Sequence, residues 1–149
     1  MPNTSSGAEF KEELLRYIES WGEDIEVLQE KPVGWRYVGT PRKLDIILRH
    51  GSRYLGIEAK YQASQGTADQ KLIYTLEDAK ASPIPVLVVF AGRGIKQDIR
   101  AKLISSGIGL ELGYLPDRLS GQRIQDNHQL FRQRVYIELG LNWFKLFQQ

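Results

Sequence analysis

Apolar positions recur along the chain at two spacings, and each spacing predicts one kind of element. Over residues 5–21, apolar side chains lie three or four positions apart, which is the spacing of one helix face. Residues 85–91 are almost continuously apolar and rich in β-branched side chains, which is typical of a strand covered on both faces. The same reasoning predicts helices over residues 66–81 and 95–106, and strands over residues 24–29, 43–49, 54–62 and 108–115.

Three segments are harder to assign from their pattern. Residues 31–41 contain Pro and Gly and are expected to form either a strand or an ordered loop. Residues 118–126 are polar and are expected to form a loop, whereas residues 130–147 are rich in apolar side chains and could be helix, strands or both. The order of the clearer elements predicts an α/β domain with a mixed sheet.

A predicted hairpin brings two acidic side chains together. The turn at residues 50–53 is centred so that Asp45 lies directly opposite Glu58, where Cβ atoms are ~4.5–5.5 Å apart. Alternation along the strands places Lys60 and Gln62 on the same face as these carboxylates. The opposite, apolar face is predicted to consist of Leu44, Ile46, Leu48, Leu55, Ile57, Ala59 and Tyr61.

This arrangement is typical of a phosphate-processing metal site. Like charges that face each other across a ladder destabilise a sheet, so a shared cation explains the pair better than an ordinary surface does. Two carboxylates suit Mg²⁺, and a neighbouring ammonium such as that of Lys60 can stabilise developing negative charge. The chain has no cysteine and only two histidines, which excludes disulfides and thiolate sites and argues against an imidazole-based zinc site.

The segments LDIIL, with Asp45, and IEAKYQ, with Glu58, Ala59 and Lys60, resemble the motif of the PD-(D/E)XK nucleases. The predicted element order is similar to the restriction endonuclease-like αβββαβ core of that superfamily, a central mixed sheet flanked by helices. The resemblance implies that Asp45 and Glu58, with Ala59 between the acid and the lysine, bind Mg²⁺, for which Mn²⁺ can substitute. It implies that Lys60 assists catalysis and that Gln62, which continues a Glu-x-Lys-x-Gln series, belongs to the site.

Within the superfamily, residues 7–91 look most like archaeal Holliday-junction resolvases, which implies a homodimeric, Mg²⁺-dependent DNA endonuclease of restriction, homing, junction-resolving or repair type. One position departs from that pattern, because the helix glutamate of the resolvases falls on Lys11. Either Glu9, Glu12 or Glu13 substitutes, with Glu13 preferred on periodicity, or the metal site lacks that member. The departure also supports the alternative function, a catalytically lapsed DNA-binding or assembly protein on the same fold.

The distribution of charge suggests where DNA would bind. Residues 93–149 carry 9 basic and 5 acidic side chains, although the net charge of the whole chain is only +2. Since phosphate contacts dominate DNA affinity, Arg42, Lys43, Arg118 and Arg123 are the predicted DNA-binding residues.

Length and hydropathy predict a single domain over residues 1–149, with residues 116–149 as a family-divergent extension. The chain shows neither a signal peptide nor a membrane span, so a cytoplasmic protein is expected. A homodimer or higher homo-oligomer is expected because cutting a duplex requires two sites. The apolar side chains proposed for its interface are Val135, Ile137, Leu139, Leu141, Trp143, Phe144 and Phe147.

Overall fold

The computed structural model of this chain describes residues 2–36, 39–62, 68–112 and 122–148, without the side chains of residues 2–6, 68–69 and 122–126. In the described part of the chain the elements are α1 (Pro2–Glu19), β1 (Glu26–Trp35), β2 (Pro41–His50), β3 (Arg53–Tyr61), α2 (Ala68–Lys80), β4 (Val86–Ala91), α3 (Gln97–Ser105), β5 (Gly109–Glu111), α4 (Gln122–Leu139) and a 3-10 helix (Trp143–Phe147).

The strands form one mixed sheet in the order β1-β2-β3-β4-β5. The first three strands are antiparallel, whereas β4 runs parallel to both β3 and β5. This arrangement confirms the predicted α/β class, and the series from α1 to β4 has the expected αβββαβ order. All six residues of β4 are buried, which agrees with their continuous apolar pattern.

Helices cover both faces of the sheet, and β4 contributes alternate side chains to each core. The first core packs α1 and α4 against the sheet and contains Leu87, Val89 and Ala91. The second core packs α2 and α3 against the other face and contains Val86, Val88 and Phe90. Because neither face of β3 and β4 is left to solvent, polar groups can approach the sheet centre only where these strands end.

The structure resolves the segments that the pattern left open. Residues 31–35 complete β1, so the strand alternative is the correct one there. Residues 122–126 belong to α4, and the prediction of a loop was wrong for them. The apolar residues at four-residue spacing, Phe131, Val135 and Leu139, pack into the first core, and the polar turns that precede them continue the same helix. None of the described helices combines the length and apolar character that a membrane span requires.

The C-terminal apolar residues divide into two groups. Val135, Leu139 and Leu141 are buried in the first core, so their assignment to an oligomer interface was wrong. They are buried because α4 packs beside α1 on one face of the sheet and contacts β3 there. The others, Ile137, Trp143, Phe144 and Phe147, are exposed.

Candidate active site

The acidic pair lies where the β2–β3 ladder ends. Ile46 pairs with Ile57 and Leu48 with Leu55, which confirms the predicted register and makes Asp45 and Glu58 the next positions. The ladder itself does not include them. Instead, Oδ2 of Asp45 accepts a hydrogen bond from the backbone N–H of Ala59 at 2.9 Å. The carboxylate of Asp45 is therefore fixed against the strand that carries Glu58 and Lys60.

Asp45 interrupts the alternation of β2. It is paired in neither of the described ladders that flank it, although Ile46 and Leu44 on either side of it are paired with β1. Consequently, Leu44 packs with Ile47 in the second core, and its predicted place beside Ile46 and Leu48 was wrong. The break turns the acidic side chain away from the regular pleat and toward the end of β3.

The side chain of Glu58 is mostly buried, with 12% of its surface exposed. This burial is the main reason why the pKa of Glu58 is raised. Burial first, and then the negative charge of Asp45, raise the pKa of Glu58 to about 7. Lys60 partly opposes this rise, with its Nζ 3.7 Å from Oε2 of Glu58. A buried carboxyl group whose pKa is raised beside a second carboxylate is typical of functional sites, where a proton or a cation relieves the repulsion.

The donor set of this pair fits Mg²⁺. The described residues include no group of three or more acidic or histidine side chains that could hold a metal ion. Mg²⁺ needs fewer protein ligands, because it keeps several waters and is held by one or two carboxylates plus substrate phosphate. Asp45 and Glu58 would supply the carboxylates. Ala59 could add only its backbone carbonyl oxygen, because its methyl side chain cannot bind a cation.

A pocket of about 330 Å³ opens beside Glu58 and Lys60, between the end of β3 and α2. Its cationic members are Lys60, Arg36 and Lys71, and Tyr74 and Thr75 complete the wall formed by α2. Arg36 and Lys71 were not among the predicted site residues. Lys71, Tyr74, Thr75 and Asp78 follow the spacing of one helix face, so periodicity could have placed them together but not beside a pocket.

Comparison with known proteins identifies the family. A model of the PD-(D/E)XK nuclease superfamily domain matches residues 7–115. The chain belongs to this superfamily. A search of curated proteins gives no significant match. Among solved structures, the chain is similar to the small subunit of the heterodimeric restriction endonuclease R.BspD6I, with 15% identity, a TM-score of 0.43, and coverage of 93% of this chain and 70% of that chain.

The first helix carries Lys11 at the position where the resolvase pattern has a glutamate. Nζ of Lys11 forms an ion pair with Oε1 of Glu30 at 2.8 Å. Glu13 is partly buried on α1, but it does not join Asp45 and Glu58 in a three-carboxylate group among the described residues. That Glu13 takes the place of the helix glutamate stays a prediction.

Glu30 is an acidic residue near the site that the sequence pattern did not single out. It lies on β1 between the pairs Gln29–Ile46 and Lys31–Leu44, so its position along the strand is opposite Asp45. Its φ of 56° is in the left-handed region, which costs a non-glycine residue about 1–3 kcal/mol. The hydrogen bond from Lys11 lowers the pKa of Glu30, and the charges of Lys43 and Lys60 act in the same direction. Glu30 thus connects α1 to the cationic surroundings of the acidic pair.

Arg42, expected to contact DNA, is instead buried. It is 2% exposed, and its Nε and second guanidinium nitrogen donate to the two carboxylate oxygens of Asp78 at 2.9 and 3.0 Å. The prediction was wrong because alternation turns Arg42 inward, where it connects β2 to α2 below the pocket. Lys43 is exposed, and its contact with DNA stays a prediction. Arg118 lies outside the described residues, as does the side chain of Arg123.

Gln62 is tightly held by the loop that follows β4. Its Nε2 donates to the carbonyl of Gly94 at 2.8 Å, and its backbone N–H donates to Ala91 at 3.0 Å. Any side chain at Gly92 would collide with Gln62, since a Cβ there would lie 2.1 Å from its carbonyl oxygen. The Oε1 of Gln62 is buried without a hydrogen-bond partner among the described groups. Gln62 therefore anchors the end of β3, on which Lys60 is carried.

Proposed function

We propose that this chain is a Mg²⁺-dependent endodeoxyribonuclease that hydrolyses DNA phosphodiester bonds. The observation that carries the proposal is the contact between Asp45 and the strand that bears Glu58 and Lys60, which gathers two carboxylates and an ammonium at one point. Membership of the PD-(D/E)XK nuclease superfamily supports the same reaction class.

Asp45 and Glu58 would hold the cation. Asp45 has one oxygen committed to Ala59, and its side chain also contacts Glu58, so the two carboxylates are close enough to share a cation. Glu58 is mostly buried, so its charged form needs a positive partner. When bound, a divalent cation polarises the phosphoryl group and lowers the pKa of the attacking water.

Lys60 has the exposure that a transition-state contact requires. Its side chain is 39% exposed and lines the pocket, and it is only loosely paired with Glu58 at 3.7 Å. As negative charge develops on the phosphoryl oxygens, the ammonium can donate to them. Interactions that strengthen in the transition state accelerate the reaction, so Lys60 serves catalysis rather than ground-state binding.

A cleavage assay tests this proposal. The purified chain is incubated with linear duplex, single-stranded, supercoiled and four-way-junction DNA, each with Mg²⁺, Mn²⁺ or excess EDTA. We expect cleavage of at least one substrate with either metal ion and none with EDTA. Lys80→Ala, on the outer face of α2, is the matched control and should cut like the wild type. Absence of cleavage on every substrate, with a folded protein, would contradict the proposal.

A second function is favoured by one observation, the ion pair between Lys11 and Glu30. A lysine stands where the resolvase pattern has a helix glutamate, and it is bound by Glu30, whose position on β1 is opposite Asp45. A DNA-binding or assembly protein that has lost catalysis would fit this arrangement. Such a protein would bind the same DNA substrates in the assay without cutting them, and Mg²⁺ would not change the products.

A further inference from the structure

The pocket beside Glu58 has more positive charge than its acidic members balance. Glu58 is paired with Lys60, and Asp78 is paired with the buried Arg42. In the described part of the chain, no carboxylate forms an ion pair with Arg36 or Lys71. These remaining cations therefore face a concave space of about 330 Å³ without internal neutralisation.

Arg36 is held in place by its surroundings. Its backbone N–H donates to the carbonyl of Thr40 at 2.7 Å, and its carbonyl accepts from Gly39 at 2.9 Å, which closes the turn between β1 and β2. The guanidinium lies over the ring of Tyr74, 6.0 Å from its centroid. Its Nε is buried and makes no hydrogen bond with the described groups. A fixed cation with an unsatisfied donor is suited to an anionic ligand, because burial penalises an unpaired polar group.

Lys71 lines the same pocket and is carried by α2. It is exposed on α2 and shares a helix face with Tyr74 and Thr75, both of which line the pocket. An ammonium on a flexible stem contacts phosphate as a point charge, whereas the guanidinium of Arg36 offers directed donors. The two cations and Thr75 line the same pocket, so together they offer a point charge, directed donors and a hydroxyl group to one phosphate.

We propose that this pocket is a subsite for one nucleotide unit of the DNA strand, adjacent to the bond that is cleaved, with its phosphate between Arg36 and Lys71. The inference rests on the proposed nuclease function, since Glu58 and Lys60 form the pocket edge nearest the chemistry. The volume lies at the lower end of the range for small-molecule sites, about 300–1,000 Å³. It therefore accommodates a single nucleotide unit and not a stacked base pair.

The salt dependence of binding tests this subsite without any need for cleavage. Affinity of the full chain for a short single-stranded DNA oligonucleotide is measured in EDTA over a series of salt concentrations. Each lost phosphate contact should reduce the slope of log K against log salt by about 0.7 for a single strand. We expect that loss for Lys71→Ala and for Arg36→Ala, and no change for Lys80→Ala. Arg36→Lys and Lys71→Arg retain the charge and should restore the slope.

The position of the phosphate is tested with neutral linkages. A single methylphosphonate is moved along the oligonucleotide, and one position should weaken binding by the wild type but not by the Arg36→Ala/Lys71→Ala double variant. Unchanged slopes in both single variants would overturn the subsite, while cleavage by the wild type would leave the nuclease proposal intact. Failure of the wild type to bind or cut DNA would overturn both. Tighter binding of the equivalent RNA, with the same dependence on Lys71, would overturn the assignment to DNA.

Discussion

Asp45 accepts a hydrogen bond from the backbone N–H of Ala59, 2.9 Å away on the neighbouring strand. The contact replaces a ladder bond where the β2–β3 pairing has ended. It gives Asp45 a structural task besides its proposed role in holding a cation. The two tasks can be separated by substitution, because an amide oxygen can accept the same hydrogen bond without carrying the charge.

We expect Asp45→Asn to fold with wild-type stability or slightly better in EDTA, since it keeps an acceptor for Ala59 and removes repulsion from Glu58. Asp45→Ala leaves the Ala59 N–H unpaired and should be less stable than Asp45→Asn by about 1 kcal/mol. Urea unfolding of both variants at neutral pH checks this order. Equal stability of the two variants would show that the contact with Ala59 contributes nothing.

The pKa of Glu58 predicts how stability and metal binding depend on pH. In the folded chain it is raised from 4.5 to about 7, chiefly by burial, so the folded state binds the proton more tightly than the unfolded state does. The corresponding stability is present below pH 4.5 and is lost as pH rises through about 7, with a total on the order of 3 kcal/mol. A cation competes with this proton, so Mg²⁺ binding should strengthen over the same interval.

Thermal unfolding with EDTA or Mg²⁺ between pH 5 and about 8 measures both effects. We expect the stabilisation by Mg²⁺ to increase as pH passes through about 7 in the wild type. Glu58→Gln should lose both the Mg²⁺ effect and this part of the pH dependence. Stabilisation by Mg²⁺ that is equally large at pH 5 would contradict the assignment of Glu58.

The buried pair of Arg42 and Asp78 should be a structural element rather than a DNA contact. Removing one partner leaves an uncompensated buried charge, so Arg42→Ala should destabilise the fold by about 3–5 kcal/mol. The double variant Arg42→Met/Asp78→Leu should recover most of that loss, because well-packed apolar residues can replace a buried ion pair. Urea unfolding provides the free energies. A single variant as stable as the wild type would return Arg42 to the list of DNA-binding candidates.

The exposed aromatic residues of the 3-10 helix are the proposed dimer interface. Trp143 contacts Phe144 and Phe147 edge to face, and all three are at least 42% exposed. We expect a two-fold dimer that buries this patch, since one metal site per chain cannot address both strands of a duplex at once. Light scattering should show a dimer that Phe144→Asp dissociates and Ile104→Asp does not. A mass of 17.0 kDa that persists at high concentration would contradict it.

Patterns within single elements predicted most of the fold. Apolar spacing located the three helices that precede residue 106, and the turn at residues 50–53 was sufficient to pair Ile46 with Ile57. These features depend on neighbours in sequence, which is why they can be read from it. The start of α4 was missed because its first turn is polar, and only contacts made further along the helix reveal its role.

The parts of the site that depend on contacts between elements could not be predicted in the same way. Arg42 looked like an exposed cation beside Asp45, and nothing local indicates that Asp78 on α2 would pair with it. Glu30 is placed opposite Asp45 by the pairing of β1 with β2, and no pattern within β1 alone predicts that pairing. Lys71 shows the opposite case, since its helix face was readable but no feature marked that face as the wall of a pocket.

The most direct test of the central claim compares DNA cleavage by the wild type, Asp45→Asn and Lys60→Ala in Mg²⁺, on the substrate that the wild type cuts best. Asp45→Asn should lower the cleavage rate by more than about 100-fold, the largest loss typical of residues that only support a metal ligand. Its folding and DNA binding should persist. Lys60→Ala should be similarly inactive yet still stabilised by Mg²⁺. Full cleavage by Asp45→Asn, from a preparation free of contaminating nuclease, would contradict the account.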